Sequence, residues 1–457
     1  MGYFFGGIFA TLYNDLVFLY MISFGRRRIG LAFAYDKNEL FNSVKSPIKK
    51  QERNILSVLK SVSLICLLLF LAGCSDTRPF IRKAAPDDLV QPGRPEDRPN
   101  HQNVLTFFAL GDWGTGKKEQ KAVAAALRKN VGQIPPGRKV APFVLGLGDN
   151  VYEKGLPEGW NNPEALSLLD QTFGKMFSDV KYEGKNITFH IVPGNHDYND
   201  VAGGRGGLGD VLSQETTAEK LYDNFEYYPI DPAKNSNTDD LENYQALKKE
   251  DIGQLTIPQK LPIESAGKVS IIAIDTQVLL NLYENSKPKV LQKHLNELES
   301  LLQNDSKWKF IIGHHPIKSH SKHGGFRKAI WWVPPIILYT IVDILFIKRL
   351  QDLDNRYYKK LIEALSTIMK KYPGSFYLAG HEHSLQFLEV GKNNFQIVSG
   401  SAAKLSGVTH KSDTIFSHSA YGFARFDITD EELWIEFFEV NVENEEMNAT
   451  ALFKVSN

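Results

Sequence analysis

Between residues 104 and 445, short apolar runs alternate with longer stretches of mixed polarity, and the two kinds of segment predict different elements. A short continuous apolar run reads as a buried strand. Residues 105–110, 142–147, 187–192, 309–312 and 375–379 are such runs, and 271–276, 395–400, 421–428 and 433–440 read likewise. Helices are predicted over 119–130, 164–177, 289–303 and 357–371. Strands interleaved with helices, then a strand-rich C-terminus, predict an α/β fold of two packed mixed β-sheets flanked by helices.

The first five runs share an unusual exit. They lead into Gly111-Asp112-Trp113-Gly114, Gly148-Asp149-Asn150-Val151-Tyr152, Gly194-Asn195-His196-Asp197, Gly313-His314-His315-Pro316 and Gly380-His381-Glu382-His383. A glycine at a strand exit lets the chain turn sharply and lets a metal or phosphate approach the backbone. Asp149 and Tyr152 are three apart, which puts both side chains on one side of a turn. His381 and His383 are two apart and share a face of an extended segment. Taken singly, a Gly-Asp is usually a turn or helix cap, and a His-x-His is more often surface than ligand. Gly-Asn-His-Asp is more specific. All five blocks in this order, each after a strand-like run, indicate a metalloenzyme with Asp112, Asp149, Tyr152, Asn195, His314, His381 and His383 as metal ligands.

The set resembles the calcineurin-like metallophosphoesterases, and within them the small tartrate-resistant type of purple acid phosphatase. Three features carry that likeness: Tyr152 three after Asp149, the Gly-Asp-Trp-Gly at residue 111, and His323-Gly324 nine after His314. The similarity runs from Val104 to Glu439 and implies a four-layer sandwich. It implies Fe(III) held by Asp112, Asp149, Tyr152 and His383, and Fe(II), Zn(II) or Mn(II) held by Asp149, Asn195, His314 and His381. Phenolate and carboxylates are hard donors suited to a trivalent ion, and the amide and imidazoles suit a divalent one. His196 and His323 are implied as catalytic, substrate-facing histidines. The implied reaction is hydrolysis of phosphate monoesters by in-line attack of a metal-bound hydroxide. A phosphodiesterase or nucleotide hydrolase shares the same clamp, and a non-catalytic metal-binding lipoprotein would want a missing ligand. His315 stands where the family commonly has an aromatic residue and is expected at the pocket edge. Glu382 is expected to point away from the site, and Asp197 either to accept hydrogen bonds within its loop or to cap a helix.

Composition narrows the rest. A hydrophobic content of 42% with 11% aromatics suits a sizeable core, and a formal charge of zero indicates no nucleic-acid partner. The two cysteines, Cys66 and Cys74, both lie outside the catalytic region, so it contains neither a disulfide nor a thiolate metal site. Residues 55–74 are apolar after basic residues and close as Leu71-Ala72-Gly73-Cys74, resembling a bacterial lipoprotein signal with Cys74 lipidated. Residues 1–54 read either as a membrane helix with a basic cytoplasmic loop or as an over-extended start, the true one lying near Leu56. Both readings place the catalytic domain, 104–445, outside the cytoplasm and anchored to a membrane, with 75–103 a linker and 446–457 a tail. Insertions are expected at 228–266 and 325–356. The apolar stretch 329–347, with Trp331, Trp332, Pro334, Pro335 and Asp343, suits a hairpin packed on the domain or a second subunit, or a segment lying on the bilayer, rather than a membrane span.

Overall fold

The computed structural model describes residues 78–84, 88–157, 162–199, 208–228, 256–265, 267–324 and 351–456. These belong to one compact unit, Ala72–Asn457. The lipoprotein-like segment with Cys74, most of the first insertion and the apolar stretch 329–347 lie outside the described residues. Among the described residues, no helix is long and apolar enough to cross a membrane.

Two eight-stranded mixed sheets form the centre. One runs, edge to edge, Phe80–Ile81, Thr414–His418, Leu385–Gly391, Asn394–Ser399, Ser375–Ala379, Trp308–Ile312, Val269–Ala273 and Gln259–Lys260. The other runs Val90–Pro92, Glu446–Ser456, Glu432–Asn441, Gly422–Ile428, Leu105–Leu110, Phe143–Leu147, Phe189–Val192 and Phe225–Tyr227. Each contains a parallel block: Leu105–Leu110 through Phe225–Tyr227 in one, Val269–Ala273 through Asn394–Ser399 in the other. Parallel strands place all their carboxyl ends at one edge of the block, which is where such sheets keep their sites.

The apolar runs are continuous because these strands are buried on both faces. Phe107, Leu145, Phe310, Phe376 and Leu378 point into the layer between the sheets, where Phe107 stacks on Phe426 at 4.5 Å and meets Phe310 edge-on at 5.3 Å. Their neighbours Phe108, Val144, Ile311 and Tyr377 face outward into clusters with helical residues such as Leu127, Phe173, Leu298 and Leu365. The helices Lys118–Gly132, Pro163–Leu169, Leu208–Leu221, Thr276–Glu284, Pro288–Leu302 and Arg356–Lys370 supply the outer layers. Starts are set locally: Asn162, Asp275 and Asn355 each accept a hydrogen bond from the first turn of the helix that follows, and Pro163 occupies a first-turn position where no amide is needed.

The predicted strands and helices all fall on observed elements, with ends shifted by up to three residues. Two expectations change. The stretch expected as a C-terminal tail is the strand Glu446–Ser456, paired along its length with Glu432–Asn441. Ala451, Phe453 and Val455 alternate into the core, a period of two that marks a strand with one wet face. The stretch expected as a linker contributes an edge strand to each sheet, through Phe80–Ile81 and Val90–Pro92. Strands this short bury too few side chains to print a pattern, and Pro92 is tolerated because an edge strand leaves one side unpaired.

Phe453 is buried against Phe387, Phe416 and Phe437. Phe453→Ala is expected to cost about 3–5 kcal/mol of stability, read as a lower urea midpoint. An unchanged midpoint would return residues 446–457 to the status of a dispensable tail.

Candidate metal centre

The strand exits converge. Asp112 N–H donates to Gly148 O at 2.9 Å within one block and Gly380 N–H to His314 O at 3.0 Å within the other, while Gly111 N–H donating to Ser399 O at 2.7 Å joins the two blocks where the ligand blocks begin. Asp112, Asp149 and His381 all have left-handed backbone, with φ of 58°, 55° and 68°. That conformation costs a non-glycine residue about 1–2 kcal/mol, and residues held in it gather at functional sites. Glycine is needed beside them: a Cβ on Gly194 would run into Asp149 Oδ1, and one on Gly148, itself at φ 86°, would lie 2.6 Å from His314 Nδ1.

Asp149 sits at the middle. Its Oδ1 lies 3.4 Å from His314 Nε2 and accepts the His196 amide at 2.9 Å. Its Oδ2 lies 2.8 Å from the Tyr152 hydroxyl, which is also 2.9 Å from Asp112 Oδ1. Asp112 in turn lies 3.4 Å from His383 Nε2 and accepts the His381 amide on Oδ2 at 2.7 Å. Asn195 Oδ1 is 3.1 Å from His314 Nε2 and 3.2 Å from His381 Nδ1. All seven expected ligands therefore lie in one cluster, each within 3.4 Å of another member. Asp112, Asp149 and His314 bring one ligand atom each within 4.8 Å of one another.

The donor set fits cations. Burial pushes the Asp112 carboxyl up to about 8, against the pull of His314 and with the further push of Asp149. Burial acts on Asp149 in the same direction, yet the His314 and His196 imidazoles, the His196 amide and the Tyr152 hydroxyl hold it below the ordinary carboxylate range. Burial and the two carboxylates raise the Tyr152 phenol. Burial lowers His381 and takes His383 down to about 3, leaving neutral imidazoles with a free lone pair. One phenolic proton cannot serve two carboxylates, so the second contact calls for a proton on Asp112 or a cation. Among the described residues, the ion pairs of Asp112 and Asp149 are all with histidines.

His196 and His323 flank the cluster, one beside Tyr152 and the other beside His381. The His196 ring is 4.5 Å from that of Tyr152, and its Nδ1–H donates to Glu153 O at 2.6 Å. The His323 ring is 4.4 Å from that of His381, and its Nδ1–H donates to Asp352 Oδ1 at 2.9 Å. Both side chains are partly exposed, at 19% and 15%.

His315 is not at the pocket edge. It is fully buried, Nε2–H donating to Gln351 Oε1 at 2.6 Å and Nδ1 accepting from the Thr276 hydroxyl at 2.8 Å. Burial and the neighbouring His314 take it down to about 3. Glu382 turns away from its ligand neighbours and accepts the Gly324 amide at 3.0 Å. Asp197 is the loop acceptor of its two expected roles, taking the amides of Asn150, Val151 and Gly194 and the side chains of Asn150 and Gln214. It ties the second ligand loop to the third.

Sequence reasoning missed Thr276, Gln351, Asp352 and Lys404. Lys404 lies with Nζ 3.4 Å from the centre of the Tyr152 ring and 3.0 Å from Glu153 Oε1. None adjoins a ligand block, so no local signal marks them. Asn150, inside the second block, was legible as part of a motif but without a role.

The calcineurin-like phosphoesterase model matches residues 105–385. Purple acid phosphatase 4 of Arabidopsis thaliana is 25% identical over 354 residues, covering 75% of this chain and 82% of that protein. Tartrate-resistant acid phosphatase type 5 of Oryctolagus cuniculus is 23% identical over 364 residues, covering 74% and 88%. Among solved structures, that of PhoD superposes with a TM-score of 0.48 at 14% identity, covering 80% of this chain and 74% of that one.

The raised Asp112 carboxyl predicts how the metal-free protein responds to pH. Asp112, raised to about 8, holds its proton more tightly in the folded chain than in the unfolded one, so its contribution favours folding at low pH and is lost as pH climbs toward 8. Asp197, raised to about 7 by burial and by Asp149, acts in the same direction. The lowered His381 and His383 act oppositely, but only below the ordinary histidine range. From about pH 7 to about pH 8 the carboxyl groups prevail. Urea midpoints in chelator should fall across that interval and flatten in Asp112→Asn. Saturating metal should remove the fall, because ions bind the deprotonated carboxylate. A midpoint that rises in chelator would refute the assignment.

Proposed function

The chain belongs to the calcineurin-like phosphoesterase family, a family of metal-dependent hydrolases, and on that premise we propose that it hydrolyses phosphate monoesters in the manner of a purple acid phosphatase. The observation that carries the reading is the Tyr152 hydroxyl lying within 2.9 Å of both Asp112 and Asp149. A phenol lying between two carboxylates is the donor that a trivalent ion selects. Asp112, Asp149, Tyr152 and His383 would hold Fe(III), and Asp149, Asn195, His314 and His381 would hold Fe(II), Zn(II) or Mn(II). A metal pair bound there supplies charge to clamp the phosphoryl group and an activated water as nucleophile.

The chain's own residues do the rest. Asp149 reaches both halves of the site with its two oxygens. The His314 Nδ1–H donates to Leu147 O at 2.8 Å, which turns Nε2 toward Asp149 and Asn195. His381 uses the opposite nitrogen: its Nε2–H donates to Gln351 O at 3.0 Å, leaving Nδ1 toward Asn195. His196 and His323 each spend Nδ1–H on an outer acceptor, so each presents Nε2 to a substrate. One binds phosphoryl oxygens and the other protonates the departing alcohol. We also infer that this chemistry takes place outside the cytoplasm, with the domain tethered through lipidated Cys74.

Iron-loaded, oxidised protein is expected to show a visible tyrosinate-to-Fe(III) band that Tyr152→Phe abolishes. Its absence in fully loaded protein would replace the iron reading with a di-zinc or di-manganese one. His196→Ala and His323→Ala should each lower kcat on a monoester by about 10²–10⁴-fold, and faster cleavage of a matched diester would make the protein a phosphodiesterase. Labelled fatty acid should be incorporated in a bacterial host and lost in Cys74→Ser; equal labelling of the variant would refute the tether.

A further inference from the structure

His323 is held more firmly than a loop histidine needs to be. Its Nδ1 lies 2.9 Å from Asp352 Oδ1, and its carbonyl accepts the Leu353 amide at 3.2 Å. The amide of the next residue, Gly324, donates to Glu382 Oε1 at 3.0 Å. Glu382 stands between the ligands His381 and His383 and is fully buried. The loop is thus anchored both to the 352–353 segment and to the ligand-bearing turn. Nothing in the family likeness assigns Asp352, which lies near the end of the second expected insertion and adjoins no ligand block.

The two flanking histidines differ in what they donate to. His196 Nδ1–H has the neutral carbonyl of Glu153 at 2.6 Å; the Glu153 carboxylate is 3.8 Å away and is engaged by Lys404 at 3.0 Å. His323 Nδ1–H has a carboxylate directly. A carboxylate on Nδ1 fixes the ring's orientation and balances the charge of an imidazole that carries a proton on both nitrogens, which a carbonyl does not.

Resting on the phosphoesterase reading above, we propose that Asp352 is a positioning residue for leaving-group protonation, holding His323 so that its Nε2–H is aimed at the ester oxygen. As the oxygen of water bonds to phosphorus, the bond from phosphorus to the alcohol oxygen breaks. That oxygen keeps the bonding pair and takes the proton from His323 Nε2. The imidazole remains neutral with Nδ1–H on Asp352, and a proton released by the attacking water restores it through solvent. His196 serves the phosphoryl oxygens.

The test compares two monoesters on metal-loaded, full-length protein. An alkyl phosphate needs its leaving oxygen protonated, whereas p-nitrophenyl phosphate departs as a stable anion. Asp352→Asn and Asp352→Ser are expected to lower kcat on the alkyl ester by about 10–100-fold and on the nitrophenyl ester by less than about threefold. The ratio of the two losses does not depend on how much of a variant is folded. Asp352→Glu should recover most of the alkyl activity, and metal content should stay at the parent level. Asp352→Asn should add nothing in a His323→Ala background. Equal losses on both esters, or additive losses in the double variant, overturn the inference alone. A parent protein that cleaves neither ester overturns the phosphoesterase reading, and the inference with it.

Discussion

Two buried carboxylates and a half-buried phenol share one point at the junction of the sheets, and the arrangement of the molecule follows from that charge. Removing an unpaired carboxylate from water costs several kcal/mol. The left-handed backbone at Asp112, Asp149 and His381 adds about 1–2 kcal/mol apiece. The electrostatic demand is therefore at least as large as the conformational one, and cations meet it more fully than the single phenolic proton. The strain is held by surroundings that leave no alternative: glycines where a Cβ would strike a ligand, and Asp197 gathering three amides from two loops.

The same contacts that join the sheets also select the chemistry. His314 Nδ1–H on Leu147 O links a strand exit of one sheet to that of the other, and in doing so leaves Nε2 as the free donor atom. The hydroxyl of Ser399 donates to Ala109 O at 2.7 Å, next to the Gly111 amide that donates to Ser399 O. A shift of one sheet relative to the other would break these bonds and separate Asp149 from His314 together. Fold stability and site geometry are coupled at this seam, not merely adjacent.

The central strands were legible because burial on both faces writes an unbroken apolar run, as at Leu105–Leu110. The clustering of the candidate ligands was legible because each stands within a few residues of such a run. What was illegible either lacks a side-chain pattern or acts from a distance. Phe80–Ile81 and Val90–Pro92 are held by backbone bonds at sheet edges. Glu446–Ser456 did carry an alternation at Ala451, Phe453 and Val455, and was missed because its first half is polar. Thr276–Glu284 starts directly after a strand-like run, so its apolar residues merged with the strand's. His315 was expected at the pocket edge because the family commonly has an aromatic residue there, whereas its two partners, Thr276 and Gln351, are far away in sequence.

The site divides by rigidity. The expected metal ligands lie at sheet exits, and all but Tyr152 and His383 are almost wholly buried. His196 and His323 lie on loops and are partly exposed, which suits the substrate contact proposed for them. Loops alone would leave a ring free to turn, and the chain compensates by giving each Nδ1–H a fixed acceptor. The acceptors are unequal, a carbonyl for one and a carboxylate for the other. Two histidines that look interchangeable in sequence are thereby distinguished by their outer partners, one suited to hydrogen-bond a phosphoryl oxygen and the other to give up a proton. The distinction is made by the Glu153 carbonyl, one residue past Tyr152, and by the Asp352 carboxylate, which adjoins no ligand block.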